Sequence, residues 1–161
     1  MSWWLIALGA PAAVALWLRR TYVVVTVWGE SMAPTLLPRE RVLVRRTRLG
    51  RVRRGDIVVL NPGGEDPDAV RRSALNRPWI IKRVLAAPGD PLPKDLLPSL
   101  AGVPEESVPP GKLVVIGDNP SRSSDSRTRG YFPGESLLGV MVRKLNGGGA
   151  PGRAPGPRPR G

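Results

Sequence analysis

Neither cysteine nor histidine occurs anywhere in the 161 residues. Their absence removes thiol nucleophiles, disulfide frameworks, zinc sites of the usual Cys/His type and every catalytic arrangement that needs an imidazole. Carboxylates are also scarce, 13 Asp plus Glu in all, which leaves little material for a hard-metal site. Chemistry in such a chain has to run on hydroxyl nucleophiles with lysine or carboxylate bases. The lack of cysteine leaves the compartment open, although it is compatible with an oxidising exterior. No internal repeat and no second long apolar run appears, and no long amphipathic helical pattern follows residue 20.

Positive charge is abundant instead. Lys plus Arg number 25, for a formal net charge of +12, which suits either nucleic acid or the anionic surface of a membrane. An arginine-rich solubilising surface accounts for it equally well, and near a bilayer each basic residue would still contribute on the order of 1 kcal/mol. The length fits one catalytic unit with a real core.

Residues 3 to 18, WWLIALGAPAAVALWL, are apolar without a charge. As a helix they would span about 24 Å, somewhat short of a bilayer of about 30 Å. Trp3, Trp4 and Trp17 lie at the two ends, where interfacial indoles belong, and Arg19 and Arg20 can extend the span by snorkelling. The expectation is an N-terminal membrane anchor over 1–20. A cleavable signal peptide, which would lack its basic leading region here, and a buried core helix remain alternatives. Arg19 and Arg20 follow the apolar stretch, so the positive-inside rule would place the rest of the chain in the cytoplasm.

Downstream, YVVVTVW (22–28), RVLVRR (41–46), DIVVLN (56–61), WIIKRVLAA (79–87), KLVVIG (112–117) and SLLGVMVRKL (136–145) read as strands bounded by Gly, Pro, Asp or Asn. Residues 63–74 read as a polar loop. The Pro-rich stretch 88–111 holds one helical turn near 96–100. The domain over 21–145 is therefore expected to be mainly β. Residues 146–161, built of Gly, Pro, Ala and Arg after Asn146, cannot bury enough apolar surface to offset ordering entropy and are expected to be disordered.

Three segments carry candidate chemistry. Gly29-Glu30-Ser31-Met32-Ala33-Pro34-Thr35 sits between two strands and presents Ser31 in a turn, with Gly29 permitting close backbone approach. Taken alone it is an ordinary turn. Lys82 alternates with Ile80 and Val84 on one strand face, with Trp79, Ile81 and Arg83 on the other. Burial there would lower its pKa and supply the neutral amine that a general base requires, whereas an edge strand would simply point the lysine at solvent. The run from Gly117 to Arg127, rich in small hydroxyls with Asp125 and Arg127 two apart, can form a charge-assisted loop that orients an amine, or else a polar surface loop.

In order, these segments resemble the type I signal peptidases, the Ser/Lys peptidases that include mitochondrial inner-membrane peptidase-like proteins. The matching boxes are GESMAPTL (29–36), RRGDIVVL (53–60), IIKRVLAAPGD (80–90) and GDNPSRSSDSRTRGYFP (117–133), with 51 positions from Ser31 to Lys82. The resemblance implies a signal peptidase/LexA-like complex β-fold behind one membrane helix. It also implies a serine endopeptidase that cleaves signal or leader peptides from exported precursors after small residues, through an ester-linked acyl-enzyme. On the matching positions it makes Ser31 the nucleophile, Lys82 the general base, Ser123 the residue that orients the amine, and Asp125 and Arg127 a supporting ion pair. Met32, Leu36, Ile80 and Ile81 match positions that line the pockets for small residues. The Ser31 amide would be one oxyanion donor. The implied partners are exported precursors and the lipid bilayer, with no nucleic acid, no cofactor and no metal. The resemblance puts a single-pass protein at the cell membrane with its catalytic domain outside the cytoplasm, against the Arg19 and Arg20 signal.

Three departures stand out. Gly29 occupies a position where some members have a hydroxyl residue as second oxyanion donor, Pro120 replaces the usual Arg after Gly-Asp-Asn, and the stretch from Lys82 to Gly117 lacks the extra strands of larger members. This is a compact version. Two other readings are a LexA-like self-cleaving Ser/Lys protein, for which the 28 residues before Gly29 leave no room for a helix-turn-helix, and a non-catalytic membrane-attached basic binding protein.

Overall fold

The structure, a computed structural model, describes residues 3–61 and 79–145. The expected loop over 63–74 and the tail over 146–161 both lie wholly outside the described residues. The chain opens with helix α1 (Trp3–Thr21), followed by strand β1 (Tyr22–Thr26), β2 (Arg41–Arg46), β3 (Ile57–Leu60), β4 (Ile80–Ala86) and β5 (Lys112–Ile116). A four-residue helix α2 (Ser126–Arg129), a short β6 (Phe132–Pro133) and β7 (Leu137–Leu145) complete it. The fold is mainly β, as the alternating and β-branched runs predict. The two features that pattern alone misses are α2 and β6, each too short to carry a period.

Helix α1 fills the place expected for the anchor and carries Pro11 inside it and Arg19 and Arg20 in its last turn. Among the described residues no helix is long and apolar enough to cross a membrane. The physical reason is the basic last turn, which leaves the apolar body shorter than the roughly 20 residues that match a bilayer core. The expected helix stands; a full membrane crossing does not follow from its length and hydropathy.

The strands form one antiparallel sheet in the order β1-β2-β7-β3-β4-β5-β6. Its two halves differ. In β3, Val58, Val59 and Leu60 are all buried, so apolar packing covers both faces there. β2 instead alternates, with Val42 and Val44 fully buried and Arg41 and Arg45 exposed, the pattern of a sheet with one wet face. One core cluster joins Val25, Val27, Val42, Val44, Val59 and Ile81 with Met32 and Leu36 from the β1–β2 connection. A second joins Val58, Leu60, Val84, Leu113, Val115 and Phe132 on the other face. A third, of Leu92, Leu97, Leu100 and Val108 against Ala86 and Val114, anchors the Pro-rich segment. That segment is built on two 3₁₀ turns, Lys94–Leu96 and Pro98–Leu100, in place of the single turn expected near 96–100.

Candidate active site

The β1–β2 connection closes on itself at its base, where the Val27 amide donates to the Glu40 carbonyl at 2.8 Å and the Arg39 amide to the Val27 carbonyl at 2.9 Å. Inside the loop, Met32 and Leu36 are buried at 1% and 0% exposure and pull the chain down onto Val59 and Ile81. Gly29 turns the chain at a φ of 76°, a conformation that costs a glycine little. Ser31 is thereby left half-buried at the top of the turn, between exposed Glu30 and buried Met32.

Lys82 lies in β4, an interior strand between β3 and β5, opposite Val58. The edge-strand alternative is thus excluded, and the side chain is 3% exposed. Burial pushes the Lys82 amine below the usual lysine range; nearby Asp125 opposes the shift, and Arg127 and Arg129 add to it. Its Nζ donates to Ser123 Oγ at 2.9 Å. Ser123 Oγ in turn donates to Asp125 Oδ2 at 2.5 Å.

Asp125 is wholly buried and is the N-cap of α2, accepting from the Arg127 amide. Its carboxylate also accepts from the Gly117 amide at 2.8 Å, and from Arg127 Nε at 3.0 Å and Arg127 Nη2 at 2.6 Å. Burial pushes its pKa up, but the bonds from Arg127, Ser123 and the backbone amides outweigh that and bring it to about 2. A buried, saturated carboxylate of this kind fixes the Ser123 rotamer, and with it the direction of the Lys82 amine.

The sequence boxes meet at Gly117. A Cβ placed there would sit 2.5 Å from the Ser31 carbonyl oxygen and 2.6 Å from Ser123 Cβ, and would run into Ser123 Oγ. The bare glycine thus lets the Ser31 backbone and the Ser123 side chain approach the end of β5 together. The Asn119 amide completes the seam by donating to the Ser31 carbonyl at 3.0 Å. Of the residues expected in the site, the structure joins Lys82, Ser123, Asp125 and Arg127 through hydrogen bonds and sets the Ser31 backbone against the same loop. The four expected pocket residues divide: Met32, Leu36 and Ile81 share one core cluster, while Ile80 packs against the other.

A brace that sequence reasoning missed surrounds this seam. Thr35 Oγ1 donates to Asp118 Oδ2 at 2.5 Å, and Arg83 holds the same carboxylate with Nε at 2.8 Å and Nη2 at 2.7 Å. Arg83 Nη1 also donates to the Gly55 carbonyl at 3.1 Å. One carboxylate therefore ties together the serine loop, the strand of Lys82 and the end of β5. Arg83 holds Asp118 below the usual carboxylate range, with burial opposing and Thr35 assisting. No local pattern could have paired positions 35, 83 and 118; the only signal was Arg83 lying beside Lys82 on the opposite face.

A buried, depressed lysine linked to an oriented hydroxyl, with a second serine backbone packed beside it and no imidazole present, is equipped for proton abstraction from a serine. The family model described as "Signal peptidase, peptidase S26" matches residues 1–95 and 92–145 of the chain. The chain is similar to Signal peptidase I of Leptolyngbya laminosa, 32% identical over 134 residues, covering 70% of this chain and 63% of that protein. It is similar to the probable signal peptidase I-2 of Synechocystis sp., 32% identical over 127 residues, covering 68% of this chain and 56% of the other. Signal peptidase I S of Bacillus subtilis is 32% identical over 168 residues, covering 85% of this chain and 84% of that protein. The chain spans less than two thirds of the length of the first two relatives.

Proposed function

The chain belongs to the signal peptidase family, peptidase S26, and from that premise we propose that it is a serine endopeptidase that removes signal peptides from exported precursors. Ser31 Oγ attacks the scissile carbonyl carbon while Lys82, in its neutral form, takes the hydroxyl proton. The tetrahedral oxyanion is met by the Ser31 amide. Collapse breaks the peptide bond, the Lys82 ammonium returns its proton to the leaving amine, and the acyl group stays as an ester on Ser31. Lys82 then takes a proton from water, hydroxide attacks the ester, and Ser31 recovers its proton from the lysine.

The single observation that supports this reading most is the chain Lys82 to Ser123 to Asp125, with bonds of 2.9 and 2.5 Å on a buried lysine. Ser123 occupies one side of the amine and so directs its lone pair, and Asp125 with Arg127 holds Ser123. Met32, Leu36 and Ile81, which pack together, floor the groove that accepts small side chains before the cut, whereas Ile80, on the opposite face of β4, takes no part in it. Helix α1 attaches the protein to the membrane through its apolar body, and the catalytic domain faces the outside of the cell.

The test is cleavage of a precursor carrying Ala at the first and third positions before the cut. Purified Ser31→Ala and Lys82→Ala should each lose cleavage, and the wild-type chain should give an acyl-enzyme adduct at Ser31 by mass spectrometry. Undiminished cleavage by either variant rules the mechanism out.

A further inference from the structure

Each of the two serines of the site is preceded in the chain by an exposed charge, and the two charges are opposite in sign. Glu30 stands before Ser31 and Arg122 before Ser123. Across the seam between the two loops, Arg122 Nε lies 3.6 Å from Glu30 Oε2. The reaction proposed above uses neither side chain.

Backbone bonds fix where both are presented. The Ala33 amide donates to the Glu30 carbonyl at 3.1 Å, closing the turn around Ser31, and the Asn119 amide donates to the Ser31 carbonyl at 3.0 Å. The Arg122 amide in turn donates to the Asn119 carbonyl at 3.2 Å, in a 3₁₀ turn over Pro120–Arg122 that Pro120 stiffens at its start by fixing φ. Ser121 Oγ tightens the same turn by donating to Asn119 Oδ1 at 2.9 Å. Arg122 is thus carried by a turn docked on the carbonyl of the nucleophile, while its side chain stands in solvent.

Such a pair contributes little to stability. The Arg122 and Glu30 side chains are 70% and 58% exposed, their separation exceeds hydrogen-bond length, and exposed single-contact pairs are among the weakest. Among the described residues nothing else engages the Arg122 guanidinium, so its fork of N–H donors is open to a planar carboxylate. The surrounding charge favours a ligand of the same sign. Asp118 is matched by Arg83 and Asp125 by Arg127, and Glu30 by Arg122. Arg129, close enough to help depress the Lys82 amine, is left as a surplus cation.

Burial sets the side of the cut. Met32, directly after Ser31, is buried in the apolar floor with Leu36 and Ile81, whereas Glu30, directly before it, is exposed. Ser31 therefore lies between an apolar floor and a charged rim. A precursor whose small residues rest on that floor crosses Ser31 and leaves over the rim, where its first two residues after the cut lie within about 7 Å of the scissile bond. We infer that Arg122 is a specificity-determining residue for the leaving side of the substrate: it takes an acidic side chain at the first or second position after the cut, exchanging Glu30 for the substrate carboxylate. A lysine there meets Arg122 and Arg129 instead. The inference rests on the reading that the chain cleaves precursors at Ser31, and it names the charge of the preferred product.

Steady-state cleavage by the full chain in detergent tests it, with precursors that carry Ala at the first and third positions before the cut and Asp, Ser or Lys at the second position after it. Wild type should cleave the Asp precursor with kcat/KM about fivefold or more above the Lys precursor at low salt, mainly through KM, and the ratio should shrink as salt rises. R122Q should bring the ratio to about one, R122E should invert it, and E30Q, which removes the competing carboxylate, should raise it. R51Q, on the exposed turn between β2 and β3, should keep the wild-type ratio. A wild-type ratio near one overturns the inference, as does a ratio that R122Q leaves intact. Equal loss of kcat by R122Q on all three precursors, with the ratio unchanged, makes Arg122 a positioning residue for Ser123 and also overturns it. An advantage that persists when the Asp is moved to the eighth position assigns the preference to the overall positive charge of the chain and overturns the assignment to Arg122. Cleavage of none of the precursors by wild type refutes instead the function on which the inference rests.

Discussion

In the proposed reaction Lys82 has to be neutral before Ser31 can attack, so the pH dependence of the rate reports on one side chain. Burial depresses its pKa from the ordinary lysine value. The neutral fraction grows as pH rises, and kcat should therefore climb with pH and level off below about 10.4, the ordinary lysine value. Asp125 works against the depression. Replacing it by asparagine removes the charge that favours the ammonium form and should move the rising limb to lower pH, even as kcat drops through loss of the Ser123 anchor. A pH–rate profile of wild type and Asp125→Asn decides this; a limb that stays in place or moves up contradicts the assignment of the titrating group to Lys82. Burial of Lys82 could only be conjectured from the apolar residues beside it, because exposure depends on whether β4 lies inside the sheet or at its edge.

Among the elements, the end of β5 is the meeting point. Ser31 and Ser123 are 92 positions apart in the chain, yet both press against Gly117. The demand is steric, since Gly117 is not among the residues with positive φ. Gly117→Ala should drive the Ser31 turn and Ser123 apart by a fraction of an ångström to an ångström and reduce kcat by about 10²-fold. KM should change far less, because the replaced atom faces the catalytic groups and leaves the apolar pocket walls in place. Steady-state kinetics on the precursor checks it, and an alanine variant with wild-type kcat contradicts the close packing described. The six longer strands were legible in the sequence because β-branched runs and bounding turns carry their own period. Strand β6 and helix α2 were not, since two and four residues owe their form to Leu113 pairing with Phe132 and to the Asp125 cap.

For the whole molecule, two carboxylates hold distant segments together, and acid should undo both. Asp118 links the serine loop to β4, and Asp125 fixes the loop after β5. Both have folded-state pKa values below the ordinary one, Asp125 at about 2. Such groups contribute stability that is fully present above the unfolded pKa near 4 and is lost as pH falls toward 2. The thermal midpoint should therefore drop steeply between about pH 4 and 2. Asp125→Asn should be less stable than wild type by about 2 kcal/mol at neutral pH, with the gap closing toward pH 2. Calorimetric scans across that range test it; a gap that persists unchanged at pH 2 assigns the loss to packing.

What the amino-acid sequence determined by itself was the chemistry that is possible and where along the chain the longer strands lie. No cysteine and no histidine, a Gly-Glu-Ser turn, a lysine among apolar residues and a Gly-Asp-Asn run are local facts, and hydrophobic period is a local signal. Tertiary structure alone decided that β4 is interior, so that Lys82 is buried; that Asp118 is shared by Thr35 and Arg83; and that one half of the sheet keeps an open arginine face. Each depends on which strands become neighbours, and strand order in an antiparallel sheet is set by the joint burial of many side chains far apart in the chain.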